Sequence, residues 1–319
     1  MIKFPNELVQ EIALQLDTGK DIKNLRLVNK TINSAAERVL WTTRHVMIRL
    51  SRDSTDAGMA ILDECKRGWP AAPLIRKLRI VSLSPEWSPK YPWNTPTEPE
   101  DADVVKSASS RLPEVLPDAL RVLKGLVSVQ WSSTPNDECW IYDAVVEALA
   151  SLPLLAIIVL GSGHRIPFPP LHKLRNGNIR KFCMRGLRPD VEFQRPFKYS
   201  MSELLHHNPN IVELDLGGNS SVTSLHFSSL FDEVHGNSIH LQTLTLGEVS
   251  IEPTPKMMSH LRSLHTLHLS GRHTSYSELW KALGLAGIAL RCLTVYVTTT
   301  SGLPRILLWL TRTVTVPDR

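Results

Sequence analysis

One spacing governs what this chain can become. In NIVELDLGGN the apolar residues Ile211, Leu214 and Leu216 stand first, fourth and sixth in a run closed by Asn219. The same spacing returns at Leu241, Leu244, Leu246, at Leu264, Leu267, Leu269, and at Leu290, Leu293, Val295. Upstream it recurs as Leu155, Ile158, Leu160, then more loosely as Ile179, Phe182, Met184, as Leu126, Val129, Trp131 and as Ile75, Leu78, Ile80. The last two members of each triple lie two residues apart. In an extended strand they share a face, and the residue between them points the other way. Val46, Ile48 and Leu50 continue the alternation and predict an opening strand. A coil of this kind cannot bury its own leucines; it must stack on a neighbouring copy.

Helical stretches separate the strands: TDAGMAILDECKR, DALRVLKG, IYDAVVEALASL, MSELLHH, SSLFDEV, MMSHLRS and YSELWKALG. Strand centres recur roughly every 23 to 32 residues. One gap, from Leu78 to Val129, is nearly double and holds SPEWSPKYPWNTPTEPEDAD, whose prolines and acids predict an inserted loop over about 83–103. The array resembles leucine-rich repeats, whose period is about 20–29 residues. That resemblance implies an α/β solenoid over 44–319, with parallel strands on the concave face and helices outside. A nucleotide-binding α/β sheet is the competing reading, but its only glycine-rich candidate, GSGH from Gly161, lacks the third glycine and the downstream acid.

In a solenoid of this type the residues between the leucines line the concave side. They are Lys77 and Arg79, Ser128 and Gln130, Ile157 and Val159, Lys181, Cys183 and Arg185, Glu213 and Asp215, Thr243 and Thr245, Thr266 and His268, then Cys292, Thr294 and Tyr296. Lys77, Arg79, Gln130, Lys181, Arg185, Glu213, Asp215, Thr245, His268 and Tyr296 are the candidate contacts to a protein substrate of unknown identity. A ladder carrying both signs of charge suits a protein or peptide ligand. Trp87, Tyr91 and Trp93 in the insertion are aromatic anchors of the kind enriched at hot spots, though they are expected to tuck against the solenoid side.

The other informative stretch is the N-terminus, MIKFPNELVQEIALQL. Pro5 suits a first helical position and Glu7 the positive end of a helix. Leu8, Ile12 and Leu16 follow at four-residue spacing. Thr18 and Asp21 read as a capping box for a second helix, DIKNLRLVNK, with Ile22, Leu25, Leu27 and Val28. TINSAAERVLW makes a third. Three helices in about 40 residues hold too little interior to stand alone.

Residues 3–42, FPNELVQEIALQL…DIKNLRLVNK…LW, resemble the F-box, with Phe4 for the leading Leu, Ile22 for Leu and Asn29 where Cys or Ser is common. The whole chain resembles an F-box protein with degenerate leucine-rich repeats, a class abundant in fungi. The resemblance implies an F-box over 1–43 that docks a Skp-type adaptor through Pro5, Leu8, Ile12, Leu16, Ile22, Leu25 and Val28. Through that adaptor it implies a cullin scaffold and the substrate-recognition role in an SCF ubiquitin ligase. Burying Leu8, Ile12 and Leu16 gives roughly 5–8 kcal/mol, against an association penalty on the order of 4–15 kcal/mol, so docking needs the whole module. The alternative is a non-ligase interaction protein whose N-terminal helices merely cap the repeats.

Composition sets few further limits. With 42% hydrophobic and 21% charged residues the chain reads as soluble, cytoplasmic or nuclear, with no membrane span. Its net charge of +5 is scattered rather than blocked and does not call for nucleic acid. Cys65, Cys139, Cys183 and Cys292 lie far apart, as suits a reducing compartment. No HExxH, zinc-type spacing, GxSxG elbow or P-loop is present, so neither a catalytic role, a metal nor a cofactor is expected. Adjacent His206 and His207 should leave a helix on different sides.

Overall fold

The structure is a computed structural model that describes residues 5–16, 19–28, 30–51, 54–86, 99–134, 136–161, 168–187, 191–218, 227–232, 234, 239–247, 251–271, 276–297 and 308–309. It divides into two compact units: residues 1–131 with 151–155, and residues 132–150 with 156–319.

Unit 1 opens with helices α1 (Asn6–Leu14), α2 (Gly19–Leu25) and α3 (Lys30–Thr43). Pro5 is the residue preceding the first helical position, and its carbonyl accepts from the Val9 N–H at 3.2 Å. Thr18 of the expected capping box lies outside the described residues. Ala13, Ile22, Ala36, Val39 and Leu40 form the small core of the three helices, with Leu16, Leu25 and Trp41 packed on its edge. The helices also dock on the repeats that follow. Trp41 meets Trp69 edge to face at 4.8 Å, and the Trp41 carbonyl accepts from the Arg76 N–H.

Strand β1 (His45–Arg49), helix α4 (Thr55–Lys66), strand β2 (Lys77–Ser82), helix α5 (Pro99–Arg121) and strand β3 (Ser128–Ser132) complete the unit, with β1, β2 and β3 parallel in that order. Helix α5 overtakes the expected insertion: residues 99–103 are helical, and the helix reaches DALRVLKG through Pro113 and Pro117. A proline removes one intrahelical hydrogen bond, a loss these turns offset by anchoring on α4. There Arg111 clasps Asp63 at 2.6 and 2.8 Å, and Lys66 donates to the Glu114 carbonyl at 2.9 Å. Trp87, Tyr91 and Trp93 lie outside the described residues. Gly125 is required where it stands, since a Cβ there would sit 2.0 Å from the Pro73 carbonyl oxygen.

Unit 2 runs through α6 (Cys139–Ala150), β4 (Ile157–Gly161), β5 (Lys181–Leu187), α7 (Val191–His207), β6 (Glu213–Gly218), β7 (Thr243–Gly247), α8 (Pro255–His260), β8 (Thr266–Gly271), α9 (Ser277–Leu285) and β9 (Cys292–Val297). Strands β4 to β9 are parallel neighbours in sequence order, and β10 (Leu308–Trp309) pairs antiparallel with β9. Helix α7 starts well before MSELLHH, passing through Pro196. SSLFDEV forms a 3-10 turn at Phe227–Leu230 instead of an α-helix. Of LPRILLWLTRTVTVPDR, where an apolar helix was expected, the described residues are Leu308 and Trp309, in a strand. Asn219 lies outside them.

The repeat is legible in the backbone. From Arg180 onward, the carbonyl just before each strand accepts two successive N–H groups from the next strand's start. Arg180 takes Val212 and Glu213, Val212 takes Gln242 and Thr243, Gln242 takes His265 and Thr266, and His265 takes Arg291 and Cys292. In unit 1 Arg76 takes Val127 and Ser128 in the same way. Each triple from Ile75, Leu78, Ile80 to Leu264, Leu267, Leu269 is buried. Leu293 and Val295 in β9 are only partly covered. The chain is therefore an α/β protein of leucine-rich-repeat architecture, with nine parallel strands among its described residues.

Candidate functional site

Two surfaces carry the residues singled out by sequence. The first is the outer side of the N-terminal helices. Leu8 and Ile12, one turn apart on α1, are 46% and 45% exposed. Leu27 and Val28, in the turn that ends α2, are 84% and 63% exposed. Pro5 is exposed as well. Ile22 is different: at 1% exposure it lies inside the three-helix core, and it leaves the set of docking residues. Leu16 and Leu25 are partly drawn into the same core. The physical reason is that a short bundle must spend some apolar side chains on its own cohesion. The helical period shows that a stripe exists without showing which members face inward.

The second surface is the strand face opposite the leucines, and it differs between the units. In unit 2 the register sets Lys181 beside Glu213, Cys183 beside Asp215, and continues through Thr243 and Thr245 to Thr266 and His268. Lys181 forms an ion pair with Glu213, and Arg185 reaches Asp215 at 3.2 Å. The Cys183 thiol donates to the same Asp215 carboxylate at 3.1 Å. Burial, then that carboxylate, pushes the thiol up to about 12, so it stays protonated and unreactive. The charges of the expected mixed ladder are thus largely paired: parallel register sets Lys181 directly beside Glu213, and Arg185 reaches back two positions to Asp215 on the next strand. Lys181, Arg185, Glu213 and Asp215 therefore link adjacent repeats through ion pairs. Thr245 and His268 remain partly open on the continuation of this face, and the Tyr296 side chain lies outside the described residues.

In unit 1 the corresponding face holds His45 and Met47 on β1, Lys77 and Arg79 on β2, and Ser128 and Gln130 on β3. His45, Met47, Lys77 and Arg79 are exposed. His45 and Met47 were missed by sequence, because β1 was identified from its inward residues alone. Burial, then the neighbouring Lys77 and Arg79, hold the His45 imidazole below its usual value.

The rings of His206 and His207 approach to 4.9 Å, closer than their divergent Cβ directions suggested, and His207 reaches Glu203 at 3.3 Å. Among the described residues no group of His, Cys, Asp or Glu is placed to hold a metal ion, and no helix is long and apolar enough to cross a membrane.

No protein-family model matches this sequence, and no curated protein matches it. Among solved structures the chain is similar to internalin C2 from Listeria monocytogenes, at 15% identity and a TM-score of 0.31, over 56% of this chain and 74% of that one. It is also similar to the leucine-rich-repeat-containing protein LegL7 from Legionella pneumophila, at 14% identity and a TM-score of 0.33, over 85% of this chain and 89% of that one. The repeat architecture follows from strand register and leucine burial without help from either.

Proposed function

We propose that the protein is a protein-interaction scaffold acting as the substrate-recognition subunit of an SCF-type ubiquitin ligase. Its N-terminal helices, which resemble the F-box, dock a Skp-type adaptor and through it a cullin, while the repeat strands hold a protein substrate. The observation that carries this reading is the division of labour in α1–α3. Ala13, Ile22, Ala36, Val39 and Leu40 cohere internally, while Leu8, Ile12, Leu27 and Val28 keep large apolar area in water. Exposed apolar side chains clustered on so small a module fit a surface that a partner covers. Such a subunit works by raising the effective concentration of substrate near the transfer machinery, with no bond chemistry of its own.

Capture of purified Skp-type adaptor by the full chain is the test. Leu8→Asp should abolish capture while leaving the circular dichroism spectrum intact. Capture that survives this substitution removes the docking assignment. A second reading has its own observation. Trp41 against Trp69, with the Arg76 N–H on the Trp41 carbonyl, makes α3 an end cap of the repeats. If capping is the module's whole task, the wild-type chain captures no adaptor and deletion of residues 1–43 exposes the repeats to aggregation.

A further inference from the structure

The two units treat charge on their strand faces in opposite ways. On β5 and β6 each cation has a carboxylate partner, Lys181 with Glu213 and Arg185 with Asp215. On β1, β2 and β3 the face reads His45, Met47, Lys77, Arg79, Ser128 and Gln130, and holds no carboxylate. Lys77 and Arg79 are both exposed, and among the described residues neither makes an ion pair. Leaving two neighbouring cations unpaired on a sheet is unfavourable, and on the unit-2 face the comparable charges are paired. The residues beside them are polar or soft: Ser128 and Gln130 offer hydrogen bonds, and Met47 is 48% exposed.

We propose that the β1–β3 face of unit 1 binds an extended, acidic segment of a protein partner, with Lys77 and Arg79 each taking an anionic side chain. Two residues along a strand separate side chains on one face by roughly 7 Å, which is also the i to i+2 spacing of an extended peptide. The segment therefore carries acids at alternate positions. Gln130 is the register partner of Arg79 and lies within reach of the peptide backbone, while Met47, on the other side of Arg79, accepts an apolar residue between or beside the acids. Nucleic acid is the poorer fit, since two cations on one face neutralise too few phosphates for appreciable affinity. The proposal rests on the reading of the repeats as the substrate-binding part. It is independent of adaptor docking.

The test is fluorescence anisotropy with the full chain and labelled peptides of alternating composition: Glu/Ala, its Gln/Ala counterpart, and a phosphoserine version. The Glu/Ala peptide should bind, the Gln/Ala peptide roughly tenfold or more weakly, and affinity should fall as salt rises. Tighter binding of the phosphoserine peptide would assign the anion as phosphate; equal or weaker binding would assign it as carboxylate. Lys77→Gln with Arg79→Gln should abolish the preference, while Lys124→Gln, an exposed cation on a turn, should leave it in place. The double variant must still capture adaptor if wild type does, which separates failure here from failure of the docking assignment. Equal binding of the Glu and Gln peptides, a preference untouched by the double substitution, or preferential binding of single-stranded nucleic acid would each overturn the proposal.

Discussion

The proposed division between cohesion and docking in the N-terminal module makes a quantitative demand. Fully burying a Leu or Ile side chain is worth about 1.5–3 kcal/mol. Leu8 and Ile12 are 46% and 45% exposed, so a little under half of that remains for a partner. That amounts to roughly 1 kcal/mol each, and Leu27 and Val28 contribute more because more of each is uncovered. Replacing Leu8 and Ile12 together by Ala should thus weaken adaptor binding by about 2 kcal/mol, or roughly thirtyfold in Kd. Its cost in folding should be similar or smaller, because neither side chain leaves a sealed cavity.

Ile22→Ala should behave in the opposite way. Its side chain is 1% exposed within the core of α1–α3, so truncation leaves a cavity and costs about 2–5 kcal/mol of folding free energy. Below its lowered melting temperature the variant should bind adaptor almost as wild type does. Calorimetric titration against the adaptor, paired with thermal melts on the same full-length samples, reads both quantities. An adaptor Kd unchanged within error in the Leu8/Ile12 variant would refute the reasoning. So would a loss of affinity in folded Ile22→Ala as large as in that variant, because the two sets of residues would then not be functionally distinct.

Three further outcomes are expected. Asn208 is fully buried, donates to the Leu174 and Leu204 carbonyls at 2.7 and 2.8 Å and accepts from the Gly177 N–H at 3.1 Å. Asn208→Ala should therefore cost about 3 kcal/mol or more, measured by denaturant unfolding. His260 accepts the Ile239 N–H on Nδ1 at 2.9 Å and stacks on Phe231, and burial holds it below the ordinary 6.5. Its neutral form stabilises the fold fully above that unfolded value. As pH falls below it the unfolded chain protonates first, so stability drains by up to about 1.4 kcal/mol per pH unit until the lowered folded pKa is reached. Melts across about pH 7.5 to 5 should show that slope, and His260→Gln should flatten it. Reversing Glu213 and Asp215 to Lys should lower stability by about 1–3 kcal/mol in chemical denaturation, chiefly through Asp215, whose side chain is only 14% exposed. Read as free face residues, the same pair would have predicted no change.

How much of this was legible in the chain differs from element to element. Strands β2 to β9 announce themselves because the triple Leu-x-x-Leu-x-Leu serves one purpose, inward burial, and local spacing suffices to encode it. The N-terminal helices are legible from their period and from the residues that resemble the F-box. Helices α5 and α7 were read too short. Pro113, Pro117 and Pro196 look like terminators to any local rule, and the contacts that offset them, such as Arg111 on Asp63, come from residues 48 apart. Ile22 and Leu8 look alike in sequence, both apolar on short helices.

The sequence by itself therefore determined the repeat, its period and its inward face, because these depend on hydrophobic spacing within a few residues. Only the tertiary structure decided which apolar residues of the first three helices stay in water and which charges on the strand faces are already paired. Those outcomes depend on what lies across the bundle or on the next strand, at a sequence distance no local pattern spans. Lys181 finds Glu213 thirty-two residues on, whereas Lys77 finds Ser128. That difference in neighbour pairs one lysine with a carboxylate and leaves the other without an ionic partner among the described residues.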